Sequence, residues 1–385
     1  MRFEFATSNR ILFGVGISSE VPSLSALLGK RTFLITDSLE RSKTLSENLS
    51  ALNLSVELFL VKKEPDLDSV LMATRNMQEF GCQSVIGFGG GSALDTGKAA
   101  AALISNPGDP LTYLEVVGSG RPLLNPSVPY IAIPTTAGTG SEVTRNAVIS
   151  LPEKRIKVSL RSPYMLPRIA VIDPELTYSL PSSFTASTGL DALTQLIEPF
   201  VCNSPTPLTD AICRDGIVRA ARSLYKACEN GQDANAREDM ALASLFGGLA
   251  LANARLGAVH GMANPIGGFS RAPHGAVCAR LLPLVIETNL HALRTRLPTS
   301  PAIARYTEVA RLLTGDAAAS ADDAVDWVRK LCDSLDTQSL NEYGLNPDDL
   351  PAVVAQSQKA NSMKGNPVSL TDIELLTILE TALAS

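Results

Sequence analysis

Three consecutive glycines, Gly89-Gly90-Gly91, join a short apolar run, Ser84-Val85-Ile86-Gly87-Phe88, to a helical pattern that continues to Ile104. The run reads as a buried parallel strand and the pattern as a helix, which commits this part of the chain to a strand-turn-helix unit of an α/β fold. Ser92 followed three residues later by Asp95 reads as a capping box at the helix start. Without Cβ atoms the turn lets a pyrophosphate approach, and the free N–H groups at the positive end of the helix dipole attract it. On its own, such a turn is equally a tight connection that binds nothing.

The surrounding pattern extends the constraint. From Arg31 to about Asp173, β-rich runs at 32–37, 56–61, 84–88 and 130–134 alternate with helical patterns, which predicts a parallel sheet covered by helices on both faces. Beyond Asp173-Pro174 the pattern turns to helices only, in Ala/Leu-rich stretches at 185–201, 207–228, 235–256 and 274–294. A chain of 385 residues with 45% hydrophobic and 19% charged content can bury two cores. The reading is a Rossmann-like α/β dinucleotide-binding domain over 1–180 and an all-α metal and substrate domain over 181–385, packed closely about a cleft. Ligands of open α/β sheets sit beyond the carboxyl ends of the strands, where Asp37, the glycine turn and the segment after Pro134 all fall.

Composition removes several function classes. A formal net charge of -6, with no basic run, argues against nucleic acid as a partner. The start, Met1-Arg2-Phe3-Glu4-Phe5, has no apolar signal region, and no stretch reaches the roughly 18 apolar residues of a membrane span, so the expected location is the cytoplasm. The six cysteines, at 82, 202, 213, 228, 278 and 332, show no paired spacing and read as buried free thiols.

The segment Pro134-Thr135-Thr136-Ala137-Gly138-Thr139-Gly140-Ser141-Glu142 sets four hydroxyl side chains directly after a buried strand, a pattern suited to an anion or a ribose. Asp37 closes the first strand, where a carboxylate accepts from an adenosine ribose and repels an added 2′-phosphate, favouring NAD over NADP. In the helical half, histidine is scarce: His260, His274 and His291 are the only three. Asp191 and Gln195 are four apart and share a helix face, as do His260 and Asn264. Asp191, His260 and His274 converging from different helices would suit a divalent transition ion and leave positions open for a substrate oxygen. Each is also readable as a hydrogen-bonded core residue, and His291 as a core or surface helix residue.

Taken in order, Gly89-Gly90-Gly91-Ser92 with Asp95 and Lys98, the 134–142 segment, Asp173-Pro174, Gly189-Leu190-Asp191-Ala192, His260 and Pro273-His274-Gly275 resemble the iron-containing (group III) alcohol dehydrogenases across almost the whole chain. The resemblance implies the dehydroquinate synthase-like fold and reversible hydride transfer between an alcohol and an aldehyde or ketone. It places Gly89 to Ser92 at the pyrophosphate, Thr135, Thr136 and Thr139 at the nicotinamide side, and Asp95, Ser141 and Lys157 at the nucleotide. It also makes a homodimer the expected assembly, with Phe3-Glu4-Phe5 and Arg10-Ile11-Leu12-Phe13 as a conceivable intersubunit strand pair.

The chain departs from the family at the metal. Members supply Asp and three His, with the Asp helix reading Asp-Ala-Leu-Thr-His; here the fifth residue is Gln195, and a further histidine near the reacting centre is replaced by Asn264. The metal set is therefore read as Asp191, Gln195, His260 and His274, with Fe2+ or Zn2+ bound more weakly because a Gln carbonyl is a poor ligand. The alternative is a metal-free site in which His260 or His274 is general acid. Two rival functions remain: a reductase of an oxoacid or phosphonate-bearing aldehyde, resembling maleylacetate or phosphonoacetaldehyde reductases, with Arg145, Arg161 or Arg271 as cationic contact; and a catalytically degenerate nucleotide-binding protein.

Overall fold

The structure, a computed structural model, describes residues 2–384. It divides into two compact units, one of residues 6–177 and one of residues 178–384 together with residues 2–5.

The first unit is built on eight strands: β1 (Arg10–Phe13), β2 (Arg31–Thr36), β3 (Ser55–Leu60), β4 (Ser84–Gly89), β5 (Tyr130–Pro134), β6 (Asn146–Leu151), β7 (Ile156–Arg161) and β8 (Ile169–Ile172). Six form a parallel sheet in the order β1-β8-β5-β4-β2-β3. The helices are α1 (Val21–Ala26), α2 (Leu39–Ala51), α3 (Leu67–Phe80) and α4 (Gly91–Leu103). Alternation along the strands sends Leu34, Ile86, Ile131 and Val171 to one face, against Val21, Leu24, Leu45 and Leu49 of α1 and α2. Phe33, Ile35, Val85 and Ala132 face the other way, against Ala73, Met77, Leu94 and Ala101 of α3 and α4.

The chain runs outward from β2 to β3 and then crosses back to place β4 on the opposite side of β2. The carboxyl ends of β2 and β4 are thus the point where strand order reverses, which is where open α/β sheets bind ligands.

Two features of this unit were not legible in the pattern. Residues 146–161 form an antiparallel hairpin, β6–β7, outside the main sheet. Arg10–Phe13 joins the main sheet as its edge strand: as β1 it pairs in parallel with β8, Arg10 opposite Ile169, while within the single chain Phe3-Glu4-Phe5 forms no strand. An apolar β-rich run is satisfied by whichever strand edge the fold offers, and sequence spacing does not say which.

The second unit is helical: α5 (Ser182–Val201), α6 (Pro207–Glu229), α7 (Ala234–Asn253), α8 (Ala258–Phe269), α9 (His274–Arg296), α10 (Pro301–Thr314), α11 (Ala321–Ser334), α12 (Leu350–Lys359) and α13 (Asp372–Leu383). Helix α5 is its centre, buried continuously from Gly189 to Val201 and packed on α6, α7 and α9. A helix hydrophobic all round belongs inside, and the polar groups it carries there, Asp191, Gln195 and Glu198, require an explanation. Helix α9 is long and apolar enough to cross a membrane, but 67% of its apolar window is buried inside this unit.

Candidate functional site

At the reversal between β2 and β4, Asp37 Oδ2 accepts the Gly90 N–H at 2.7 Å. Gly89 has φ +156°, and a Cβ there would lie 2.6 Å from Asp37 Oδ2; a Cβ on Gly91 would lie 2.8 Å from Thr139 Cγ2. Only glycine admits these approaches, so Asp37, the glycine turn, Thr136 and Thr139 come together in one place. Helix α4 opens on Gly90 with no side-chain cap. The first intrahelical bond runs from Leu94 N–H to Gly90 O, so the N–H groups of Gly91, Ser92 and Ala93 have no helical partner, and they fit a phosphate.

The expected capping box of Ser92 and Asp95 does not form. The helix starts one residue before Ser92, and the Asp95 carboxylate instead accepts Ser141 Oγ–H at 2.5 Å and Val148 N–H at 2.8 Å. Behind it lies the ammonium of Lys98, fully buried, donating to Ser141 O, Ser141 Oγ, Thr144 Oγ1 and Asn146 O. Asp95, Lys98 and Ser141 therefore brace the loop after β5 against α4. Thr135 is likewise committed, its Oγ1 accepting from Arg41 at 3.2 Å, and Lys157 on β7 pairs with Glu64 at 2.5 Å. Of the nucleotide residues named from sequence, Asp37, Gly89, Gly90, Gly91, Ser92, Thr136 and Thr139 line the turn, and the others support it or pair elsewhere.

In the helical unit, α5 presents Asp191, Gln195 and Glu198 at successive turns of one face. Helix α8 brings His260 and α9 brings His274 and Cys278. Asp191 Oδ1 lies 3.3 Å from His260 Nε2 and 3.8 Å from His274 Nε2. On the other side of the ring, His260 Nδ1 is 2.7 Å from Glu198 Oε2, while Glu198 Oε1 accepts the Val259 N–H at 2.7 Å. Glu198 thus holds the imidazole from behind and caps the start of α8 with one carboxylate. A Cβ on Gly257 would lie 2.8 Å from Glu198 Oε1, and one on Gly275 would lie 2.2 Å from Ser187 O, so both glycines are needed where the histidine helices meet α5.

These contacts decide the electrostatics. With Nδ1–H given to Glu198, a neutral His260 turns its Nε2 lone pair toward Asp191. Among the described residues, neither Asp191 Oδ1 nor Gln195 Oε1, both buried, has a hydrogen-bond partner. Acceptor facing acceptor across 3.3 Å in a buried site calls for a proton or a cation between them. Burial pushes the Asp191 carboxyl up, but His274, His260 and Gln195 outweigh it and hold it below the usual range. Burial lowers His260, yet Cys278, Asp191 and Glu198 raise it well above the usual imidazole range. The donor set suits a divalent ion, which Asp191, His260 and His274 would hold.

Asn264 sits one turn beyond His260 on α8 and is half-buried; His291 is exposed on α9. The sequence reading assigned no role to Glu198 or Cys278. Glu198 was detectable as a carboxylate two turns after Asp191 in an otherwise apolar stretch, and Cys278 as a ligand-capable residue one turn after His274.

Comparison with known proteins agrees with this arrangement. The profile described as "Iron-containing alcohol dehydrogenase" matches residues 8–174, and "Fe-containing alcohol dehydrogenase family, C-terminal" matches residues 185–383. The chain is 33% identical to sulfoacetaldehyde reductase of Bilophila wadsworthia, over 99% of each chain. It superposes on a crystal structure of 1,3-propanediol oxidoreductase with a TM-score of 0.91 at 32% identity, covering 99% of this chain and 100% of that one. It also superposes on sulfoacetaldehyde reductase from Bifidobacterium kashiwanohense in complex with NAD+, with a TM-score of 0.87 at 28% identity and full coverage of both.

A Rossmann-like unit joined in sequence to a helical unit with a buried carboxylate-histidine cluster defines a dehydrogenase-type oxidoreductase. The chain belongs to the iron-containing alcohol dehydrogenase family.

Proposed function

We propose that this enzyme transfers hydride reversibly between an alcohol and NAD, giving an aldehyde or ketone and NADH. The observation that carries the reading is the buried cluster of Asp191 Oδ1 with the Nε2 atoms of His260 and His274, its geometry fixed from behind by Glu198. A divalent ion held there supplies Lewis-acid polarisation of the alcohol or carbonyl oxygen. NAD supplies the hydride acceptor, and the protein's part is to orient it. In this reading the N–H groups opening α4 bind the pyrophosphate, and the Asp37 carboxylate at the end of β2, which would repel a 2′-phosphate, favours NAD over NADP.

Asp191 provides the anionic oxygen and the two histidines provide neutral nitrogen donors. Asn264, lacking a titratable nitrogen, offers the substrate an amide contact without taking up its proton. Six unpaired cysteines support a reducing, cytoplasmic setting, and family membership supports a homodimer as the working form.

The test is NADH oxidation with short, aromatic and acidic aldehydes before and after chelator stripping and metal readdition. Loss on stripping and recovery with one ion is expected. Activity indifferent to the chelator would replace the reading by a metal-free one in which a histidine donates the proton.

A second reading, an acidic aldehyde as substrate, is favoured by one contrast among the candidate cations. Arg161 is engaged by Glu115 at 2.9 Å, whereas Arg271, exposed and three residues before His274, forms no ion pair among the described residues. Both sulfoacetaldehyde reductases above are relatives whose names specify an acidic aldehyde. Preference for a sulfonated over a neutral aldehyde of equal length, lost in Arg271→Gln, would establish it; equal rates on both would remove it.

A further inference from the structure

The family's usual donor is missing at Gln195, yet the cluster is not short of a fourth ligand. Cys278 lies one helical turn after His274 on α9, and its Sγ is 3.7 Å from His274 Nε2 and 4.0 Å from His260 Nε2. The donor atoms of Asp191, His260, His274 and Cys278 all lie within 4.8 Å of one another. Tetrahedral bonds of about 2.0 Å to nitrogen or oxygen and about 2.3 Å to sulfur place neighbouring donors roughly 3.3 to 3.6 Å apart. Four of the six separations, at 3.3, 3.7, 3.8 and 4.0 Å, lie at or within about 0.5 Å of that range, and the other two lie within 4.8 Å.

Independently, Asp191 Oδ1 is buried, without a hydrogen bond among the described residues, and directed into the same cluster. A thiol hydrogen bond alone does not account for the cluster, since the one S–H proton can serve only one of the two imidazole nitrogens that face it.

We infer that Cys278 is a metal ligand, replacing the histidine lost at position 195, so that the site is an Asp-His-His-Cys set selecting zinc over iron. The inference rests on the metal-assisted reading above. As the ion binds, the Cys278 S–H bond breaks, its proton passes to solvent and the sulfur lone pair forms the bond to the metal. Two anionic donors, Asp191 and Cys278, then balance a divalent charge inside a buried site. A thiolate among imidazoles suits zinc, which ranks above Fe2+ in intrinsic affinity for such donors, whereas a thiolate-free set of oxygen and imidazole donors suits iron as well.

The experiment is optical and needs no turnover. Stripped full-length protein and the variants Cys278→Ser, Cys278→Ala and His274→Ala are titrated anaerobically with Co2+, and zinc affinity is measured by competition with a chromophoric chelator. The expected result is a near-ultraviolet thiolate-to-cobalt charge-transfer band in the native chain, lost in both Cys278 variants while the visible cobalt bands persist. Zinc binding should weaken by about tenfold or more, with the preference for zinc over Fe2+ reduced. One equivalent of cobalt bound without a charge-transfer band, and unchanged in Cys278→Ala, would overturn the role of Cys278 and leave the Asp191-His260-His274 site standing. Failure of the native chain to bind one equivalent, or binding unaffected by His274→Ala, would overturn both.

Discussion

Glu198 shows how much one side chain can decide. It was unassigned in the sequence, yet its two oxygens fix the His260 tautomer and cap α8. Glu198→Gln keeps the shape and removes the charge, and should weaken metal binding by about 10- to 100-fold, measured by chelator competition, with little change in far-ultraviolet circular dichroism. A second buried carboxyl gives a pH signature. Burial, against the opposing effects of its own backbone N–H and of Lys98, raises Glu142 from 4.5 to about 7. Between those values the folded chain keeps a proton that the unfolded chain has lost, so stability falls as pH rises through that window. Denaturant titrations at about pH 5 and about pH 8 should show that decline, and Glu142→Gln should make it shallower.

At the scale of elements, the site depends on how closely three helices approach. Helix α9 can start against α5 only because Gly275 has no side chain; a Cβ would meet Ser187 O, a backbone atom that has no rotamer in which to move aside. Gly275→Ala should therefore cost about 1 to 3 kcal/mol of stability, seen as a lowered denaturant midpoint, and should displace His274 enough to weaken metal binding in the folded fraction. The start of α4 shows the opposite device. A glycine N-cap such as Gly90 gives up only about a few tenths of a kcal/mol relative to a capping side chain, and the N–H groups so released are those available to a phosphate. The Ser92 and Asp95 spacing reads as a cap because local patterns carry no information about Ser141 and Val148, which claim the Asp95 carboxylate from 46 and 53 residues away.

For the molecule as a whole, metal binding and folding are linked. An ion that binds the folded chain alone stabilises it by about 2.7 kcal/mol at a concentration 100 times its Kd. Adding zinc to stripped protein should raise Tm, chelator should reverse the rise, and Asp191→Ala should abolish it, as read by differential scanning fluorimetry. A stripped protein whose Tm ignores zinc would argue against an assembled site.

Periodicity determined the architecture. Alternating strands and helices specify a parallel sheet, uninterrupted apolar stretches specify a helical unit, and the glycine turn marks a tight strand-to-helix connection, because each follows from hydrogen bonding and burial within a few residues. The spacing of Asp191, His260 and His274, read with the family pattern, also named three members of the cluster. Tertiary structure alone decided the rest: that β1 closes the sheet beside β8, that Asp95, Ser141 and Lys98 brace a loop, and that Glu198 and Cys278 join the histidines. Such residues are brought within bonding distance by packing between helices far apart in the chain, and a buried carboxylate or thiol looks the same in sequence whether its neighbour is a methyl group or a metal ligand.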